Sequence, residues 1–201
     1  MKAGRFFFAL LLTIAFASCQ SDQKAGDMQA SADIKLDGQP FTVAGVTFTP
    51  PANWVNQGAS GMRQAVFTFG PTQGESDSAT MIVFYFGPTG GGGVQDNIAR
   101  WIGQMSTADG GDAGAKAQQQ SFDVDGMKAH WVEVAGTYNA SMGGGGMPGG
   151  PTESKNDYRM AAAVVEGPQG NLFFKLTGPA KTASAMTEGF KAMLLAVKKS
   201  A

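Results

Sequence analysis

The chain has 201 residues, with 15 Lys and Arg against 16 Asp and Glu, 29 Gly, one His and one Cys. A net charge of −1 leaves no basic excess for phosphate contacts, so nucleic acid is not an expected partner. One cysteine and one histidine exclude an intrachain disulfide and any multi-cysteine or multi-histidine metal centre, and a hydrophobic fraction of 43% excludes a wholly disordered chain.

The first segment reads as an address. Lys2 and Arg5 precede an almost unbroken apolar run from Phe6 to Phe16, and the small residues Ala17 and Ser18 lead to Cys19. A spanning helix needs about 20 apolar residues, so this shorter run with a positive start fits a secretory leader. Phe16-Ala17-Ser18-Cys19 resembles a bacterial lipobox, with Phe16 where Leu is usual. The resemblance implies that residues 1–18 are removed as a lipoprotein signal peptide and that Cys19 becomes the lipidated first residue. Several acyl chains, at about 0.8 kcal/mol per buried methylene, would hold such a protein on a membrane. Gln20 stands where Asp commonly retains lipoproteins in the inner membrane. In a bacterium with two membranes this implies the outer one, facing the periplasm. Losing Lys2 and Arg5 takes the net charge to −3. Residues 19–40 are expected to be the lipidated N-terminus and a flexible tether, and residues 41–201 a single domain.

Within that domain, Phe41, Val43, Val46 and Phe48 predict a hairpin turning at Ala44-Gly45, closed by Pro50-Pro51, with Trp54 folding back on the core edge. Arg63 to Phe69 alternates, and Thr80 to Phe86 is nearly continuous apolar strand. From Val94 to Ser106 the period changes: Val94, Ile98, Trp101, Ile102 and Met105 share a helical face. Asp96 falls in the first turn, where negative charge suits the helix dipole. Ala117 to Val124 and Met127 to Tyr138 predict a hairpin joined by Asp125-Gly126. Tyr158 to Glu166 and Asn171 to Thr177 predict another across Gly167 to Gly170. A last helix is expected from Ala180 to Lys199, with Met186, Phe190, Met193, Leu194 and Val197 buried and Lys198 and Lys199 at its C-terminal end. The order strands, helix, strands, helix predicts an α+β fold: a mainly antiparallel sheet with flanking helices. Glycine concentrates in three expected loops, at 87–93, 109–114 and 143–150.

Few residues combine into chemistry. The glycine loop before Val94 lacks the Gly-Lys-Ser/Thr ending of a phosphate-binding loop and the spacing of a dinucleotide fingerprint. Asp109 and Asp112 are too sparse for a calcium loop. His130 should share a strand face with Val132 and Val134, opposite Trp131 and Glu133, and no nucleophile motif accompanies it. No cofactor and no metal site are called for, and no catalytic residues are assigned. Three residues stand out as a ligand or partner surface. Asn97 and Arg100 lie one turn apart beside the apolar helix face. Lys175 sits inside the apolar strand Asn171 to Thr177, where it must snorkel outward or pair with a carboxylate.

Pro51-x-x-Trp54, Met62-Arg63, VFYFG from Val83 to Gly87, NIARWIGQM from Asn97 to Met105 and FFKLTGP from Phe173 to Pro179 together carry a resemblance. The chain resembles a family of bacterial envelope lipoproteins and, in its order of elements, the PsbP-like α/β/α sandwich superfamily. That superfamily includes extrinsic photosystem II subunits and a Ran-binding import factor. The resemblance implies a non-enzymatic domain that binds a protein partner or assists assembly of an envelope complex. The alternative is a periplasmic lipoprotein that binds a small molecule or a metal through the glycine loops and the Asn97–Arg100 helix.

Overall fold

The structure is a computed structural model that describes residues 28–31, 33–141 and 152–200. Cys19 and the expected loop 143–150 lie outside the described residues. In chain order the strands are β1 (Phe41–Val43), β2 (Val46–Phe48), β3 (Val55–Asn56), β4 (Arg63–Phe69) and β5 (Ala79–Tyr85). Helix α1 (Val94–Ile102) and β6 (Met105–Ser106) follow, then β7 (Gln118–Val124), β8 (Met127–Ser141), β9 (Thr152–Gly167) and β10 (Gly170–Pro179). Helix α2 (Ala180–Leu195) and β11 (Lys198–Lys199) close the domain.

Eight strands form one antiparallel sheet in the order β3-β4-β5-β10-β9-β8, with β6 and β7 sharing the outer edge of β8. A small antiparallel sheet, β1-β2-β11, packs apart from it. This is the expected α+β architecture. The Asp125-Gly126 turn between β7 and β8 has φ of 49° and 69°, the left-handed pair that a two-residue hairpin of primed type requires.

The sheet has two unequal faces. On one, α2 and the small sheet cover a large core that includes Phe48, Phe67, Trp131, Phe174, Met186 and Phe190. Phe190 lies 5.0 Å from Trp131 and 5.9 Å from Phe174 between ring centroids. On the other, α1 sets Ile98 and Trp101 on Val132, Val134, Ala162, Val164 and Phe173. Strand β10 divides its residues between them: Leu172, Phe174 and Leu176 join the α2 core, and Phe173 joins the α1 core.

Four expectations need correction. The first helix stops at Ile102, capped at Gly103, and Met105–Ser106 is a strand paired with Tyr138 and Thr137. Gly136 admits this pairing, because a Cβ there would collide with the Ser106 carbonyl. The last helix ends at Leu195, so Lys198 and Lys199 do not complement its dipole. They pair instead with Thr47 and Val46 of β2. The expected tether is docked from Met28 onward: Met28 is buried in the large core, Ser31 Oγ donates to Glu188 at 2.9 Å, and Gly38 N donates to the Pro50 carbonyl at 2.9 Å. Finally, β9 begins at Thr152, well before the apolar residues that suggested it. Among the described residues, no helix is long and apolar enough to cross a membrane.

Candidate functional site

The α1 face gathers the three residues singled out from sequence, though not all as surface. Asn97 is buried, because its side chain does the work of a helix cap. No side chain caps α1 at Gly93, and Asn97 Nδ2 donates to the carbonyls of Gly91 and Gly93 at 2.8 Å each, closing the glycine loop. Gly91 must be glycine there: its φ is +87°, and a Cβ would press into the Phe173 ring. The other end of the Asn97 amide, Oδ1, accepts a hydrogen bond from the Arg100 guanidinium. Asn97 therefore positions Arg100 and offers nothing to solvent.

Lys175 shares the α1 side of β10 with Phe173, and it neither snorkels free nor meets a carboxylate. Its Nζ donates to Gln104 Oε1 and, at 3.3 Å, to Tyr138 Oη, and it stands 5.1 Å from the centroid of the Tyr138 ring. Gln104 is held by its backbone: its N–H donates to the Trp101 carbonyl at 3.1 Å, and its carbonyl accepts from Asn139 N at 2.8 Å. Tyr138 stacks on Tyr158 with ring centroids 6.1 Å apart, and Tyr158 Oη donates to Asp77 Oδ2 at 3.1 Å. Burial pushes the Tyr138 phenol up; burial and then the Asp77 carboxylate push Tyr158 to about 12. Burial, followed by the nearby Arg100 charge, lowers the Lys175 ammonium to about 8.

What this cluster lacks is a counter-ion. The ion pairs among the described residues use His130, Lys155, Arg159, Lys191 and Lys198, and none uses Lys175 or Arg100. One ammonium proton of Lys175 and most of the Arg100 guanidinium edge have no partner among the described residues.

Beside the cations the sheet is only partly covered. Register places Val55, Val66, Ile82 and Phe84 on the α1 side, since Val55 opposes Thr68, Thr68 opposes Thr80, Ile82 opposes Lys175 and Phe84 opposes Phe173. Helix α1 packs mainly over β8 and β9, with Phe84 at the margin of its core, and Val66, Ile82 and Phe84 stay half-buried. Val55 is 59% exposed and Phe86 36%. Phe86 stacks on Phe84 at 5.9 Å and meets Phe173 edge-on at 5.6 Å, so an aromatic row runs from beneath α1 out to solvent.

Sequence reasoning missed the partners of His130. Ser121 lies directly opposite it across β7 and β8, with Oγ 2.9 Å from Nδ1, and Glu166 Oε1 lies 2.7 Å from Nε2. The chain Ser121–His130–Glu166 joins three strands, with Ser121 exposed at the sheet edge. The only sequence signal was its two-residue spacing from the apolar face. Asp109 and Asp112 hold their own loop, by Thr107 Oγ1 and by Gly114 N at 2.7 Å. Among the described residues, no group of three or more His, Cys, Asp or Glu could hold a metal. Two open clefts of about 370 and 290 Å³ flank Trp54 and share Asp37, Pro51 and Ala52; neither is lined by residues of the cation cluster.

No protein-family description matches the chain, and no curated protein matches it. Among solved structures it is similar to cyanobacterial PsbP (CyanoP) from Synechocystis sp. PCC 6803. The identity is 15% and the TM-score 0.45, over 87% of this chain and 99% of that one.

Proposed function

We propose that this protein is an envelope lipoprotein, anchored through Cys19 at the outer membrane and facing the periplasm, whose α+β domain binds a protein partner without catalysing a reaction. The binding surface is the uncovered part of the α1 face, from Phe86 and Ile82 to Arg100 and Lys175. The observation that carries this reading is the juxtaposition of a half-exposed apolar sheet surface with two cations that have no ion-pair partner among the described residues. Apolar area supplies association energy and unpaired charge supplies orientation, and folding alone has a use for neither.

Photo-crosslinking in intact cells tests the reading. A crosslinking side chain at Phe86 should yield one discrete adduct, whereas the same group at exposed Leu195, the last residue of α2, should not. Identical adduct patterns from both positions would reject the surface. The anchor is tested separately: Cys19→Ser should move the protein from the membrane to the soluble fraction, and unchanged membrane retention would reject lipidation.

A further inference from the structure

We propose that Lys175 and Arg100 are the receptor for a carboxylate carried on an apolar stretch of the partner, with the flanking apolar side chains seated on Ile82, Phe84 and Phe86. The inference rests on the docking surface above and names the chemistry that surface selects.

Three observations lead to it. First, Lys175 is a half-buried charge given only neutral acceptors, Gln104 and Tyr138. An ammonium in such a place is costly until an anion reaches it, so the fold holds a site that is prepaid in desolvation and short of one negative charge. Second, the donors available are few. Lys175 has one proton left, and Arg100 presents a guanidinium fixed by Asn97. A phosphate has more oxygens to satisfy and is usually met by backbone amides at a helix N-terminus. Here the N-terminal turn of α1 carries Asp96, and the Asn97 amide is spent on the loop carbonyls. Third, the site adjoins half-exposed apolar side chains of the sheet, which suits a chain segment with hydrophobic residues beside its acid. The exposed aromatic row from Phe84 to Phe86 is continuous with Phe173, the residue two before Lys175 on the same side of the strand.

Carboxylate binding has a distinctive signature: it favours the protonated ammonium, so association near pH 8.5 takes up protons from solution. The test uses the full chain, lipidated and held in detergent micelles, with 13C at the lysine ε carbons. The probe is the blocked tripeptide acetyl-Phe-Glu-Phe-amide, compared with its Gln counterpart, inorganic phosphate, and vesicles containing phosphatidylglycerol. The Glu peptide should shift the Lys175 signal saturably with proton uptake, and the Gln peptide should bind at least about tenfold more weakly, a difference of about 1.4 kcal/mol. Lys175→Met and Arg100→Gln should each abolish the response, with circular dichroism and melting confirming that both variants fold. Arg100→Lys should restore part of it.

No saturable shift with the Glu peptide, or equal binding of the Glu and Gln peptides, would overturn the proposal. So would phosphate or vesicles titrating Lys175 more tightly than the Glu peptide. The outcome separates from that of the docking reading. A Phe86 adduct that survives in Lys175→Met, with no peptide response, removes the carboxylate and keeps the surface; peptide binding without any adduct does the reverse.

Discussion

On the α2 side of the large sheet, buried Glu133 is met by the Arg159 guanidinium and by Lys191 Nζ at 3.4 Å; on the α1 side, half-buried Lys175 hydrogen-bonds only to neutral groups. The same contrast runs through the apolar surface. A 16-residue helix and a three-stranded sheet close one face, while a nine-residue helix covers the other mainly over β8, β9 and Phe173 of β10. A buried charge whose partner lies inside the fold serves the fold, at a net value that is often small. One whose partner is missing lowers stability, and its persistence is explained when the partner comes from outside. On the proposed docking role the two faces would divide the labour, the α2 face supplying stability and the α1 face recognition.

The largest expected effect tests the sealed side. Phe190→Ala should destabilise the domain by about 4 kcal/mol, because its rigid neighbours Trp131 and Phe174 cannot collapse into the void. Trp101→Ala should cost about 3 kcal/mol, since the half-open α1 side can relax. Denaturant unfolding measures both, and a larger loss for Trp101 would reverse the assignment of roles. Next comes Lys175→Met, which should stabilise the domain by about 2 kcal/mol at pH 7 by removing the uncompensated cation. The sign follows from linkage. The folded-state value of about 8 lies below the roughly 10.4 of the unfolded chain, so the cost is fully present below pH 8. It is relieved as pH rises from about 8 to about 10.5, because there the unfolded chain binds more protons. The stability gap between wild type and Lys175→Met should therefore close across that window. A gap independent of pH would show that Lys175 is not the unpaid charge. The smallest effect belongs to Phe86→Ala, expected within about 1 kcal/mol of wild type by the same unfolding measurement. A loss as large as that of Phe190 would mean that the exposed row is core.

Much of this asymmetry was legible in the residues. The Asp125-Gly126 turn, the alternation of β4 and the continuous apolar runs of β5 and β10 announced the sheet, because each signal is local. What escaped was set by pairing between distant segments. Met105 continues the helical spacing of Trp101 and is buried either way, so its period could not reveal that Gly103 ends α1 and that β8 captures the next residues. Lys198 and Lys199 form a strand only because β2 has an open edge. At the site, Lys175 was conspicuous as a lysine in an apolar strand, but Gln104 and Tyr138 became its partners through the register of β8 with β6 and β9. Asn97 looked like surface by its spacing beside the apolar stripe. Its burial follows from the uncapped glycine loop, whose carbonyls need a donor.

The pairing of β5 with β10 brings together strands that most of the domain separates in sequence, whereas β4 with β5, β7 with β8 and β9 with β10 join immediate neighbours. Closing such a long loop costs entropy before any contact repays it, so this seam, like the longer-range pairing of β2 with β11, is expected to zip late in folding. Lys175 lies on one side of the seam, and Gln104 and Arg100 belong to the segment that the seam encloses. The proposed carboxylate receptor would thus be assembled only when the sheet zips shut, and a chain still caught before that moment would expose a solvated lysine with no selectivity. In a refolding time course, competence to bind the acidic probe should appear with the rate constant of global folding and not earlier; binding in a burst phase would separate the two events.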